Sequence, residues 1–225
     1  MIVVHHLDNS RSQRVLWLLE ELGLPYELRR YQRDPKTMLA PPELKRIHPL
    51  GKSPVVTDAD RIGDEALAES GAIVEYLLDT CGEGRLRPAP GTAERRHFTY
   101  WLHYAEGSAM PPLLLALIFG RLPKSPMPFF AKPIAKAISA KAMKTFVGPQ
   151  LVNHLDWMES ELAGRDWFAG SSFTAADIQM SFVEAYDARV GLGDRPRLRA
   201  WLERIRARPA YQRAIEKGGP VVWSR

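Results

Sequence analysis

Apolar and polar positions change period several times along the chain, and each change marks an element. Ile2 to Leu7 is a short β-rich run, the pattern of a buried strand. Asp8-Asn9-Ser10-Arg11 brings turn and N-cap chemistry. From Ser12 or Arg14 the spacing turns helical, with Val15, Leu16, Leu18, Leu19 and Leu22 on an apolar face. Gly23 stops that helix and Pro25 follows. Tyr26 to Tyr31 reads as a second strand, so the opening is a strand–helix–strand crossover unit. Ala40-Pro41-Pro42-Glu43 starts a short helical turn. Val55 to Thr57 is a third strand. Asp58 to Arg61 is expected to form a hairpin turn, with a weak fourth strand near Ile62. Ser70 then caps a helix that carries Ile73, Val74, Leu77 and Leu78 on one side.

The texture shifts near residue 82. Residues 83–91 are rich in Gly, Pro and Arg and read as a linker. Beyond it the periodicity is helical only. One helix is expected from Thr92 to Leu122, bent at Pro111-Pro112. A Pro-rich connector spans Leu122 to Pro133, and a helix with Phe146, Leu151, Leu155, Met158 and Leu162 follows. In Phe173-Thr174-Ala175-Ala176-Asp177-Ile178 the Thr and Asp stand at capping-box spacing, and Phe173 and Ile178 are placed for a hydrophobic staple. Arg197 to Ala207 turns Leu198, Trp201, Leu202 and Ile205 inward. The pattern therefore predicts α/β plus all-α: residues 1–82 as βαβ–ββα, and residues 92–225 as an all-helical domain.

Composition narrows the picture modestly. With 225 residues, 45% of them hydrophobic, a core forms without disulfides or metals. The net charge of +5 comes from 31 cations interspersed with 26 anions, which favours anionic ligands mildly and does not form a nucleic-acid tract. The Arg-rich run from Arg195 to Arg213 is interrupted by Glu203, and its inward face is apolar. The lone cysteine, Cys81, excludes an internal disulfide and suggests a reducing, cytoplasmic setting. The first residues lack the charged and apolar regions of a signal peptide, and no segment is long enough to span a membrane. His5-His6 are adjacent in a strand, so they face opposite ways; no metal is expected.

Two local features carry chemistry. Ser70 lies at a helix N-terminus, where free N–H groups and the helix dipole favour an anion. Pro54 stands where a strand begins, the position a sheet tolerates for proline.

Four stretches take the reading further: Ser10-Arg11-Ser12-Gln13-Arg14-Val15-Leu16, Gly51-Lys52-Ser53-Pro54-Val55-Val56, Ala68-Glu69-Ser70-Gly71-Ala72-Ile73-Val74-Glu75-Tyr76-Leu77, and the capping element Phe173 to Asp177. In this order and spacing the chain resembles the cytosolic glutathione transferases, bacterial-type with a serine-type active-site loop, over nearly its whole length. The resemblance implies a thioredoxin-like N-terminal domain, an all-helical C-terminal domain, a homodimer, and glutathione as co-substrate with no prosthetic cofactor. It implies a cis bond before Pro54 and docking of glutathione's cysteinyl unit on the Ser53 backbone as an added strand. It places the γ-glutamyl carboxylate at Ser70, the γ-glutamyl ammonium near Glu69, and the glycyl carboxylate near Lys52.

The same resemblance makes Ser10 the candidate catalytic residue, four positions before Arg14. Its hydroxyl would stabilise the thiolate of glutathione, since only the thiolate is a good nucleophile. Asn9, Arg11 and Ser12 stand as alternatives in the same loop. For the second substrate, a small and mostly apolar electrophile, Trp101, Tyr104, Met110, Phe119, Phe129 and Phe130 are candidates, with Trp223 near the end of the chain as a possible cover. The implied activity is conjugation of glutathione in detoxification. The competing readings are a non-catalytic carrier and a glutathione-dependent peroxide or disulfide reductase. A thioredoxin-type reductase is disfavoured because Ser10 stands where such chemistry needs a cysteine.

Overall fold

The computed structural model describes residues 1–220, so Trp223 lies outside the described residues. Strands β1 (Ile2–Leu7), β2 (Tyr26–Tyr31), β3 (Val55–Asp58) and β4 (Ala66–Ala68) form one mixed sheet in the order β2-β1-β3-β4. β1 and β2 are parallel, with Ile2 opposite Tyr26. β1 meets β3 antiparallel, with Val4 opposite Val56, and β3 meets β4 antiparallel.

Helix α1 (Ser12–Leu22) joins β1 to β2 and ends at Gly23, whose φ of 64° lets its N–H return to the Leu19 carbonyl. The apolar pattern predicts one buried face. The structure buries every residue from Ser12 to Leu19, because α1 is covered by the sheet, by α4 (Ser70–Cys81) and by the last described helix, α12 (Pro209–Gly218). α4 buries Ile73, Val74, Leu77 and Leu78.

Two expectations in this part change. Asp58 to Arg61 does not make a hairpin. Residues Ala59–Ile62 form a helical turn, α3, and the fourth strand starts at Ala66. The cause is Asp58, whose buried carboxylate accepts bonds from Arg61 Nη1 at 2.8 Å and from the Tyr76 hydroxyl at 3.0 Å. A short helix α2 (Glu43–Ile47) follows the two prolines as expected.

The remaining described elements are helical: α5 (Ala93–Tyr104), α6 (Met110–Arg121), α7 (Ala131–Ala142), α8 (Gly148–Glu161), α9 (Ala175–Gln179), α10 (Val183–Val190), α11 (Pro196–Arg206) and α12. The long helix expected over 92–122 is interrupted by a π-helical turn, Ala105–Ala109, placed just ahead of Pro111-Pro112. Proline has no N–H to donate and is tolerated in a first turn, so the break falls before the pair and α6 begins anew. The Tyr186 hydroxyl holds the turn by donating to the Ala109 carbonyl at 2.6 Å.

Trp101, Phe168 and Trp201 fill the helical core, with ring centroids 4.5 Å and 4.9 Å apart along the chain of contacts. The capping box at Thr174 forms. Asp177 is fully buried and accepts from the Phe168 and Thr174 backbone N–H groups and from Trp201 Nε1, each at 3.0 Å.

Candidate active site

The loop after β1 and the turn before β3 come together because β1 ends and β3, antiparallel to it, begins at the same end of the sheet. Between them and the helical domain lies a cleft of about 620 Å³. One wall is Asn9, Ser10, Arg11, Lys52 and Ser53. The facing wall is Met110, Leu113, Leu114 and Leu117 of α6, with Ala185 and Arg189 of α10. The cleft thus pairs a polar edge with an apolar helix face.

The Ser53–Pro54 bond is cis, and Val55 enters the sheet directly after it. Ser53's hydroxyl is already used. It donates to the His5 carbonyl at 2.9 Å and accepts from the Leu7 N–H at 3.2 Å, which ties the turn to β1. Its backbone N–H and C=O make no backbone bond to the described residues, so a ladder edge faces the cleft.

Glu69 and Ser70 open α4 outside the lining of this cleft. Glu69 is exposed and sits at φ 70°, ψ 119°. Ser70 is buried, and its hydroxyl accepts from Gln179 Nε2 at 2.9 Å and, at longer range, from Arg14 Nη1. Because the hydroxyl accepts both bonds, its own proton is left to donate, beside the backbone N–H groups of the first turn.

The loop chemistry centres on three side chains the sequence leaves unconnected. Ser10 Oγ lies 2.7 Å from Ser12 Oγ, and Ser12 Oγ lies 2.8 Å from His6 Nδ1. His6 Nε2 lies 2.8 Å from the Gly218 carbonyl. A carbonyl only accepts, so Nε2 carries the proton. Burial lowers the His6 pKa, with Arg30 adding to it and the Gly218 carbonyl and Asp8 opposing. The ring is therefore neutral at neutral pH and Nδ1 is an acceptor. Ser12 donates to Nδ1, and Ser10 donates to Ser12. In this arrangement Ser10's own proton points back into the protein, not out to the cleft. His5 faces the other way, toward the Tyr31 hydroxyl at 3.0 Å. No group of metal-ligating side chains occurs among the described residues.

Arg11 lines the cleft and donates through Nε to Glu106 at 2.9 Å. Arg14 is buried, and its Nη1 is 2.5 Å from Glu106 Oε1. Burial alone would raise the Glu106 pKa, but Arg14 and Arg11 together hold it below the usual range. Glu106 escaped the sequence reading. Its only signal was its place just before a proline pair, where helical geometry breaks and functional π turns occur.

Of the residues expected to meet the second substrate, Met110 lines the cleft. Tyr104 is buried, with its hydroxyl on His154 Nδ1 at 2.5 Å, and Trp101 is core. Phe119 packs against the core. Phe129 and Phe130 are 85% and 66% exposed and touch each other edge to face, away from the cleft. The residues that replace them, Leu113, Leu114 and Leu117, stand three, four and seven positions after Met110. That helical stripe was readable; aromatic residues drew attention from it.

The sequence matches the family described as glutathione S-transferase, N-terminal domain, over residues 10–80, and the corresponding C-terminal domain over residues 145–204. Glutathione S-transferase 1 of Saccharomyces cerevisiae is 34% identical over 223 residues, covering 96% of this chain and 95% of the yeast protein. The crystal structure of a glutathione S-transferase from Actinobacillus pleuropneumoniae superposes with a TM-score of 0.78 at 38% identity, covering 100% of this chain and 96% of that one. The disulfide-bond oxidoreductase YfcG of Escherichia coli is 29% identical over 222 residues, covering 96% of this chain and 95% of that protein.

Proposed function

The chain belongs to the glutathione transferase family, and from that premise we propose that it joins the thiolate of glutathione to a small, mostly apolar electrophile in the cleft between the sheet edge and α6. Glutathione is the co-substrate. The observation that carries the reading is the cleft itself, which sets Ser10, Lys52 and Ser53 opposite Met110 and the leucines of α6. A peptide can pair with the free backbone edge of Ser53, an anion suits Lys52, and an apolar partner suits the leucines. The γ-glutamyl end goes to the first turn of α4, with Glu69 for its ammonium.

The loop supplies the thiolate. The thiol donates its proton to Ser10 Oγ, Ser10 passes its own to Ser12, and Ser12 passes its own to His6 Nδ1. The bound sulfur is left as a thiolate that accepts Ser10's hydroxyl, and His6 is left as the cation. No atom moves further than one hydrogen bond, and charge is conserved. Asp8 Oδ1, 3.9 Å from His6 Nε2, favours that cation. Ser10 acts on the sulfur, and Ser12 and His6 act through it.

Dimerisation as a homodimer, a cytoplasmic setting and a role in detoxification belong to the same proposal. The lone buried Cys81 suits a reducing compartment. No described helix is long and apolar enough to cross a membrane.

A second reading, reduction of small disulfides by glutathione, is favoured by the likeness to the Escherichia coli oxidoreductase. A cleft without a cysteine suits it if glutathione brings every sulfur. Thiolate absorbance of bound glutathione against pH, with conjugate and glutathione disulfide both measured by mass spectrometry, separates the readings. A thiol pKa well below that of free glutathione with conjugate formed supports the transferase. Disulfide exchange alone supports the reductase, and an unmoved pKa leaves a carrier.

A further inference from the structure

Among the described residues that line the cleft, five are cationic, Arg11, Arg33, Lys45, Lys52 and Arg189, and none is a carboxylate. Four belong to the sheet domain, and two of those are occupied by the protein. Arg11 is paired with Glu106. Arg33 donates to the carbonyls of Asp8, Asn9 and Met38. Lys45 and Lys52 remain on that side for the glycyl carboxylate of glutathione.

Arg189 is different. It comes from α10, on the wall with Met110, Leu113, Leu114 and Leu117. Its Nε is buried without a hydrogen-bond partner, and it forms no ion pair with a described residue. Burial weakens its hold on the proton, and another cation, Arg121, adds to that effect. A half-buried guanidinium that feels another cation and has no acid paired to it among the described residues is costly unless something else answers it. Its fork matches a carboxylate.

We propose that Arg189 forms an anion subsite in the second-substrate half of the cleft, so that the favoured electrophiles are apolar molecules carrying a carboxylate remote from the reacting carbon. The inference rests on the transferase reading for its chemistry, though not for its binding. The step is a conjugate addition. The thiolate forms a C–S bond at the β-carbon of an unsaturated ketone, the π pair moves onto the carbonyl as an enolate, and water returns a proton to the α-carbon. The remote carboxylate takes no part and serves only to dock.

The test uses two pairs of probes. Reactive probes are 4-phenylbut-3-en-2-one carrying a para-carboxylate, and its methyl ester. Unreactive probes are the saturated counterparts of each. In calorimetric titrations of the glutathione-loaded protein, the saturated acid is expected to bind about tenfold or more tightly than the ester, the span of a hydrogen bond to a charged group. Arg189→Gln should erase the preference, and Arg189→Lys should keep part of it. With the reactive pair, kcat/KM relative to the uncatalysed rate should show the same ratio. Equal binding of acid and ester, or a preference that survives in Arg189→Gln, overturns the proposal. So does a rise in the KM for glutathione that accounts for the loss, since Arg189 would then serve glutathione. If the acid preference appears in binding but neither enone is turned over, the subsite stands and the transferase reading fails.

Discussion

His6 Nε2 and the carbonyl oxygen of Gly218 meet at 2.8 Å across 212 residues of chain. That contact fixes which nitrogen of the imidazole carries the proton, and through it the direction of every hydrogen bond out to Ser10. It also ties β1, at the start of the sheet, to the end of α12.

If Ser10, Ser12 and His6 act as one relay, their losses do not add. Ser10→Ala and Ser12→Ala are each expected to lower kcat by about 10²-fold or more, the scale of positioned proton transfer, and to raise the pKa of bound glutathione's thiol. The double variant should cost little more than either alone. An unchanged kcat in Ser12→Ala would remove His6 from the mechanism and return the role to Ser10 alone, Asn9 or Arg11.

The same histidine makes stability depend on pH. Its folded pKa lies below the ordinary 6.5, so the unfolded chain binds more protons. The contribution is complete above about pH 6.5 and is lost as the pH falls through the folded value. Glu106 acts in the same direction in a lower window, starting at its ordinary 4.5. Thermal melts from pH 8 to 5 should show Tm falling mainly below about 6.5, with a flatter slope in His6→Gln. A Tm that rises on acidification would contradict the neutral imidazole.

Removing the carboxylate of Glu106 strands Arg14, which is 3% exposed. An unpaired buried charge costs about 3–5 kcal/mol. Glu106→Ala should therefore shift the urea midpoint far more than a surface acid such as Asp64→Ala. Equal shifts would mean that water reaches Arg14.

Gly218 faces α1 closely enough that a Cβ would lie 2.2 Å from Gln13 Oε1 and 2.7 Å from Leu16 Cδ1. Gln13 can swing away, but Leu16 is fully buried. Gly218→Ala should cost about 1–3 kcal/mol as an overpacking change, measured by urea unfolding. A neutral result would show that α12 slides on α1 without loss.

Apart from the helical turn after Asp58 and the π turn before Pro111, the element order was legible, as were the sheet crossover, the cap at Thr174 and the cis bond before Pro54, because each rests on local spacing or on a motif. So was the gathering of Ser10, Lys52 and Ser53, which the family resemblance implied. What escaped lies between elements. Ser12 reads as a helix start, but its hydroxyl is spent on His6. Nothing local to residue 218 announces that its carbonyl will answer a histidine in β1. Glu106 and Arg189 look like ordinary surface charges on helices until the π turn and the packing of α10 turn them inward. Tyr104 and Phe119 misled for the opposite reason, since large aromatic residues at helical spacing are usually wanted by the core.

The stretch between the two domains, for all its glycines, is not a hinge. The Leu86 carbonyl receives the Ala175 N–H at 2.9 Å, and the Pro88 carbonyl receives Arg95 Nη1 at 3.0 Å. Arg87 is paired back to Asp79 on α4. A hinge needs a few residues whose φ and ψ can change without breaking other bonds, and these are spoken for on both sides. With α1 packed on α12 and α9 as well, the sheet domain and the helical domain make one framework, and the two walls of the cleft belong to it. The width of the cleft is thus a property of the packed fold, set before any ligand arrives.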